Sequence, residues 1–196
     1  MPNLPPEWRE KHLELRQLRA EDFDAVVALQ LRCFPKMKTW TREQFDSQVQ
    51  TFPEGQLGIF LRGKLVASAA SLVVDDADYA DFANWVEMSD HGFIRNHDPE
   101  GDSLYGIEIQ VDPEMRGMKL ARRLYDARKE LCRRKDLARI IVGGRIPGFA
   151  QHQDLTAREY VERVMEKSLF DPVLTVQLAN GFQMRELVKE YLPSDE

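Results

Sequence analysis

Residues 104–135 read LYGIEIQVDPEMRGMKLARRLYDARKELCRRK, and the reading of the fold turns on them. Leu104 to Val111 is a short apolar strand, a turn passes through Asp112 and Pro113, and a basic loop then opens a long helix. A strand that feeds a loop into a helix N-terminus gathers unpaired backbone N–H groups and the positive end of the helix dipole in one place. Such a place holds phosphates.

Outward from this stretch, His12 to Leu18 alternates apolar and polar residues as a half-buried strand does. Glu21 to Cys33 carries Phe23, Val26, Val27 and Leu31 at helical spacing, ended by Pro35. Thr41 with Gln44 forms a capping box that predicts a second helix to about Gln50. Leu57–Leu61 and Leu65–Val74 read as a hairpin about Arg62-Gly63-Lys64. Residues 75–101 form a long irregular insertion with Phe82, Trp85, Phe93, His91 and His97, whose aromatics favour order. After the central helix, Ala138–Val142 reads as a buried strand ending at Gly143-Gly144, and Arg145–Leu155 as a loop. Thr156 with Glu159 opens a helix to about Lys167, and Asp171-Pro172 opens a short one to about Ala179. Phe182–Val188 is the last strand candidate. The order predicts an α/β (α+β) layer architecture around a mixed sheet.

At 196 residues, 43% hydrophobic and 31% charged, the chain is long enough for one globular domain with its own core, taken over 12–190. Residues 1–11, polar with three prolines, read as a loose arm, and 191–196 as a tail or the start of a linker. A net charge of −6 argues against a nucleic-acid or anionic-membrane binder. No apolar run approaches the ~20 residues that span a bilayer, and the N-terminus lacks the apolar centre of a signal peptide. Cys33 and Cys132 fit free thiols in a reducing cytoplasm. Cys132, on an apolar helical face, reads as a small buried hydrophobe.

Nine basic residues lie between Arg116 and Lys135, against Asp126 and Glu130. Arg128, Lys129, Arg133, Arg134 and Lys135 read as a solvated face that suits the C-terminal end of the dipole. A nucleic-acid helix lacks interleaved aromatics and conflicts with the acidic balance. Arg116-Gly117-Met118-Lys119, at the helix entry, is placed to hold a pyrophosphate through its amides and cations. The chain contains neither G-x-x-x-x-G-K-[ST] nor a G-x-G-x-x-G after a strand, which removes the two commonest phosphate signatures.

What remains, Val111-Asp112-Pro113 followed by EMRGMKLA, resembles the cofactor motif of the GNAT acyltransferases: a strand ending V-x-P, then R/Q-x-x-G-x-G/A. Arg116, Lys119 and Ala121 occupy the three defined positions, with lysine where the pattern has glycine. The runs 97–111, 121–132, 140–149, 156–164 and 171–182 extend the resemblance from about His12 to Pro193, to the GNAT-like domain found ahead of nitrilase-type carbon–nitrogen hydrolases. In such fusions the hydrolase follows the segment matching Tyr191–Pro193.

The resemblance implies a GNAT-like fold with splayed central strands, and an acyl-CoA-dependent N-acyltransferase using acetyl-CoA or another acyl-CoA. Donor binding falls to Gln110, Val111, Arg116, Gly117, Met118, Lys119, Leu120 and Ala121, with the pantetheine arm between Glu108–Val111 and Arg139–Val142. Glu108 is the implied base, since a carboxylate desolvated among Ile107, Ile109 and Val111 has a raised pKa; an acidic residue on a solvent face is the competing reading. Amides near Val111 would meet the carbonyl oxygen. Gln177 stands where many members carry an acidic tyrosine, and Tyr105, Tyr125 and Tyr160 have no positional support. Trp85, His91, His97 and Arg145 are candidates for the acceptor pocket, with loop packing as the alternative. His91, His97 and Asp98 are too loosely spaced for a metal, so none is expected. The expected partners are a small-molecule or peptide amine and a carbon–nitrogen hydrolase domain, with a homodimer left open. A non-catalytic CoA-binding or regulatory module is the second reading.

Overall fold

Two apolar runs meet at Arg62-Gly63 to make a hairpin, β2 (Leu57–Leu61) antiparallel to β3 (Lys64–Val74). Both turn residues have positive φ, 51° and 77°, as two-residue hairpin loops require. Outside it, β1 (Leu13–Gln17) pairs with β2, and β4 (Ser103–Val111) pairs antiparallel with β3. β5 (Arg139–Val142) joins β4 in parallel, completing a mixed sheet of order β1-β2-β3-β4-β5. All of β2, and all of β3 except Lys64, is buried, as in strands covered on both faces. The computed structural model of the protein describes residues 12–79, 84–189, 191 and 192. The arm at 1–11, Phe82 and the tail from 193 onward, all expectations from the sequence, lie outside them.

On one face lies α1 (Phe23–Cys33), followed by α2 (Arg42–Thr51). The Thr41 hydroxyl accepts from the Gln44 N–H at 3.2 Å, and the Gln44 side chain accepts from the Thr41 N–H at 2.9 Å, the expected capping box. The insertion contributes one helical turn, α3 (Trp85–Met88), and tight turns tied to α2. Gln44 and Gln48 donate to the His91 and Gly92 carbonyls at 2.7 Å, and Ser47 to Phe93 at 2.6 Å. The opposite face is covered by α4 (Leu120–Arg134), whose Leu120 and Leu124 pack with Leu57, Ile59, Leu61, Ala67 and Ala69. This helix is the crossover that a parallel β4–β5 pair needs.

β3 and β4 pair unevenly. Ala70 opposes Glu108 and Ser71 opposes Gly106, so Ile107 is an extra residue, a bulge. Because side chains alternate along a strand, one extra residue reverses the face taken by everything after it. Ile109 and Val111 therefore pack on the α4 side, while Glu108 and Gln110 face α1.

Arg128 fills the bulge. It lies one turn past Leu124 on the stripe formed by Leu120, Leu124 and Leu131, and is 1% exposed. Its Nε donates to Ser71 Oγ at 3.0 Å, and Nη2 donates to the Ala70 and Glu108 carbonyls, both at 2.7 Å. Burial pulls its pKa down to about 10. The reading of Arg128 as a solvated cation is thus corrected: Arg133, Arg134 and Lys135 are exposed, but 3.6-residue periodicity turns Arg128 inward.

β5 pairs only with Ser103–Gly106, whereas β4 continues through Ile107–Val111, roughly 17 Å further at ~3.3 Å per residue. No strand among the described residues takes that side, so the central strands splay. Of the two segments expected to flank the pantetheine arm, Arg139–Val142 is itself paired, with Ser103–Gly106.

Contacts group the chain into two compact units, one within 12–142 with 192 and the other Gly143–Tyr191, where the sequence reading takes 12–190 as one domain. In the second unit, α5 (Ala157–Met165) and α6 (Leu174–Ala179) share a core of Tyr160, Val161, Val164 and Leu174. Asp171 ties it together. Its Oδ2 accepts from Tyr160 Oη at 2.9 Å and the Gly148 N–H at 3.0 Å, and its Oδ1 accepts from the Val173 and Leu174 N–H groups. Phe182–Val188, expected as a strand, forms none. Its apolar residues Met184 and Leu187 are instead satisfied by packing on this helical core.

A Cβ on Gly106 would sit 2.8 Å from Arg128 Nη1 and 3.0 Å from Val142 Cγ1. Gly106→Ala is therefore expected to cost about 1–3 kcal/mol through overpacking, read as a lowered urea midpoint with an unchanged m-value.

Candidate active site

The Glu108 carboxylate emerges from the bulge among neutral donors. Gln30 Nε2 of α1 donates to its Oε2 at 3.0 Å and Gln110 Nε2 to its Oε1 at 3.1 Å, and the Trp40 side chain adds a further bond. Each donor is itself held. The Trp40 N–H donates to Gln30 Oε1 at 2.9 Å, and Gln110 also donates to Ser68 Oγ at 2.8 Å. Trp40 stacks on Trp85 with ring centroids 5.8 Å apart, and Trp85 Nε1 donates to the Ile107 carbonyl at 3.2 Å. Desolvation raises the Glu108 pKa, against the opposing pull of the Gln30 and Trp40 bonds and the Arg128 charge. Glu108 is half-buried, so the carboxylate is desolvated without being sealed.

At the end of β4, Asp112 is fully buried and does different work. It accepts from the Glu114 N–H at 3.1 Å, starting a 3-10 turn over Pro113–Met115, and pairs with Arg32 at 3.0 Å and Lys64 at 3.8 Å. Cys33 Sγ donates to the Val111 carbonyl at 3.3 Å, and burial together with Asp112 pushes its thiol up to about 11. It is a packed thiol, and no feature of its local sequence pointed to this position beside β4.

The loop that follows has the conformation of an anion cradle. Arg116 is exposed, Gly117 has φ 82° with open space around its α-carbon, and Met118 folds back on the core. Lys119 sits at φ 57°, ψ 24°, left-handed, as the N-cap of α4, with Leu120 buried and Ala121 half-buried. The N–H groups of Gly117 and of residues 119–122 find no backbone acceptor among the described residues. The left-handed conformation is one that glycine adopts freely, and lysine adopts it at a cost of about 1 kcal/mol. The substitution changes the energy of the loop, leaving its direction intact.

The acceptor candidates separate. Trp85 stands beside β4, as described. His91 is exposed at φ 55° and contributes its carbonyl to Gln44. His97 stacks on Phe52 at 4.3 Å, and its Nδ1 accepts from the Val73 N–H at 3.0 Å, with burial lowering its pKa. Val73 pairs with Leu104, about 13 Å along the strand from Glu108 at ~3.3 Å per residue, so His97 is engaged elsewhere. Arg145 and Gln177 belong to the second unit, where the Gln177 side chain lies against Gly144. There too Tyr160 gives its proton to Asp171, and burial pushes its pKa up to about 12. Tyr191, read as tail, lies with its ring over Gly143 and has its pKa raised by desolvation. Gln30 and Trp40 were missed because neither belongs to a motif; only the three-dimensional neighbourhood of Glu108 reveals them. Among the described residues, no group of three or more His, Cys, Asp or Glu is placed to hold a metal, and no helix is long and apolar enough to cross a membrane.

Two stability effects follow. Because the folded pKa of Glu108 lies above the unfolded value, the native state binds the extra proton, and stability falls as pH rises from the ordinary carboxylate range through the raised pKa. Glu108→Gln should flatten that decline in urea titrations run across pH, gaining on the parent protein at neutral pH and matching it in acid. Lys119→Gly should raise stability by up to about 1 kcal/mol through relief of the left-handed strain, whereas Lys119→Ala should give no such gain by thermal unfolding.

Residues 23–152 match the acetyltransferase (GNAT) family. The chain is 43% identical over 187 residues to "Probable hydrolase YhcX" of Bacillus subtilis (strain 168), covering 95% of this chain and 36% of that protein. It therefore spans about a third of that relative's length. It is 33% identical over 189 residues to "Uncharacterized N-acetyltransferase YkwB" of the same organism, covering 94% of this chain and 84% of that one. In fold it is similar to the loading GNATL domain of CurA from Lyngbya majuscula, with TM-score 0.82, 20% identity, and 93% and 90% of the two chains covered. It is also similar to the GphF GNAT-like decarboxylase in complex with isobutyryl-CoA, with TM-score 0.76, 23% identity, and 93% and 92% covered. With its mixed five-stranded sheet, bulged fourth strand and strand-to-helix cradle, the chain belongs to the GNAT acetyltransferase family.

Proposed function

We propose that this chain is an acyl-CoA-dependent N-acyltransferase that moves an acetyl group onto a primary amine, with Glu108 as the proton acceptor. The observation that carries the reading is a half-open carboxylate of raised pKa, fixed by neutral donors beside the unpaired edge of β4. A base of that kind takes a proton near neutral pH more readily than an ordinary surface carboxylate does. The cradle of residues 116–122 fits a pyrophosphate: the amides of Gly117 and of residues 119–122 lack backbone acceptors, Gly117 leaves room, and Arg116 and Lys119 are exposed cations. When bound, acyl-CoA supplies an activated thioester carbonyl. The chain's own part is to hold the diphosphate at α4, offer amides of Ile107–Val111 to the carbonyl oxygen, and receive the amine proton on Glu108. Trp40 and Trp85 wall the acceptor side. A thiolate can depart without a dedicated acid, so glutamine at position 177 is compatible with turnover.

A carbon–nitrogen hydrolase as partner is part of the proposal, to which the relative named a probable hydrolase, matched over 36% of its length, lends support as far as a hydrolase.

Free-thiol release from acetyl-CoA across an amine panel tests the activity. Glu108→Gln should lower kcat by about 10²- to 10⁴-fold while leaving CoA-induced thermal stabilisation in place, and Arg116→Glu should weaken that stabilisation. Stabilisation by CoA with no turnover on any amine would make the domain a binding module. CO₂ release from malonyl-CoA would replace amine transfer with the chemistry named for the GphF domain.

A further inference from the structure

We propose that Arg128 is a positioning residue for Glu108: by bonding the Ala70 and Glu108 carbonyls across the bulge, it holds β4 in the register that presents the Glu108 carboxylate to Gln30 and Trp40. The functional weight of this rests on Glu108 as the proton acceptor; the geometry does not. A bulge leaves its carbonyls without an even ladder, and unpaired buried carbonyls are costly. Nη2 satisfies two of them at 2.7 Å, one from each strand, while Nε is anchored on Ser71. Only a planar fork reaches three acceptors at fixed angles. Gly106 is part of the same device, because any side chain there would occupy the guanidinium's place.

Closing the bulge by one residue would return Glu108 to the α4 face among Leu120 and Leu124 and bring Ile107 out toward Gln30. An arginine that served only to fill the core would be indifferent to which side Glu108 takes. This one donates to the backbone carbonyl of Glu108 itself. The ionisable groups acting on the carboxylate are Arg128 from α4 and the Cys33 thiol from α1; β3 offers Ser68 and Ala70, and Trp40 and Trp85 are neutral.

The test needs no substrate. In protein with ¹³C-labelled glutamate and ¹⁵N-labelled side chains, Arg128→Met should raise the Glu108 titration midpoint and displace the Gln30 amide and Trp40 indole resonances. Arg128→Lys, which keeps a charge but replaces the fork with a single ammonium, should displace the same resonances with a smaller change in midpoint. Arg134→Met, removing an exposed cation of the same helix, should change none of them. Folded Arg128→Met or Arg128→Lys protein in which the Gln30 and Trp40 resonances stay at their parent positions would overturn the proposal, and the lysine variant decides alone if the methionine one fails to fold. With transfer activity in hand, Arg128→Lys should lose kcat on the order of 100-fold at unchanged KM for the acyl donor. Absence of activity would count against the transferase reading and leave the resonance result standing.

Discussion

A guanidinium sealed between two strands is the constraint on which the central architecture depends. Arg128 has no carboxylate at bonding distance among its recorded partners; it is held by two carbonyls and a hydroxyl. Burying a cation against neutral acceptors carries a large desolvation cost, visible in a pKa drawn down to about 10. A methionine would fill similar volume without that cost, but it could not bond two carbonyls that the bulge leaves misaligned. The arginine trades stability for a specified register. That register matters because side-chain direction in a strand is binary.

Downstream of the bulge, two carboxylates four residues apart, Glu108 on β4 and Asp112 just past its end, meet opposite environments. Asp112 is fully buried and is met by Arg32 and Lys64, so its charge is compensated and it acts as a strut between β4, α1 and the hairpin. Glu108 is met only by amides and an indole, which orient it without supplying a countercharge. Desolvation among neutral donors raises the Glu108 pKa and leaves its proton exchangeable. That difference supports the acid–base role proposed for Glu108 over one for Asp112.

Much of this was legible in the chain. Alternation in 12–18, the hairpin runs of 57–61 and 65–74, the capping boxes at Thr41 and Thr156, and the strand–turn–helix of 104–135 all depend on local propensity, and the corresponding elements form. The failures have one origin. Phe182–Val188 is apolar enough to suggest a strand, but Met184 and Leu187 find their partners on the core of α5 and α6, because apolar content records burial and not hydrogen bonding. Arg128 was read by its charge when its position, four residues after Leu124, already placed it on the buried stripe. His97, near Trp85 in sequence, stacks on Phe52 and accepts from the Val73 N–H, contacts that no local pattern announces. Gln30 and Trp40 lie 78 and 68 positions before Glu108, and no local pattern links them to it.

The charge distribution completes the picture. A chain of net charge −6 is a poor general trap for anions, yet Arg116, Lys119 and Arg122 are all exposed in the loop and first turn at the start of α4, where the amides and the dipole already favour negative charge. Cations gathered there support the proposed hold on a phosphate-bearing ligand at one end of one helix. The same segregation explains why lysine is tolerated at a left-handed position. The backbone conformation that a glycine would adopt freely is retained at about 1 kcal/mol, and in return the cradle gains a cation at the point where the dipole is strongest.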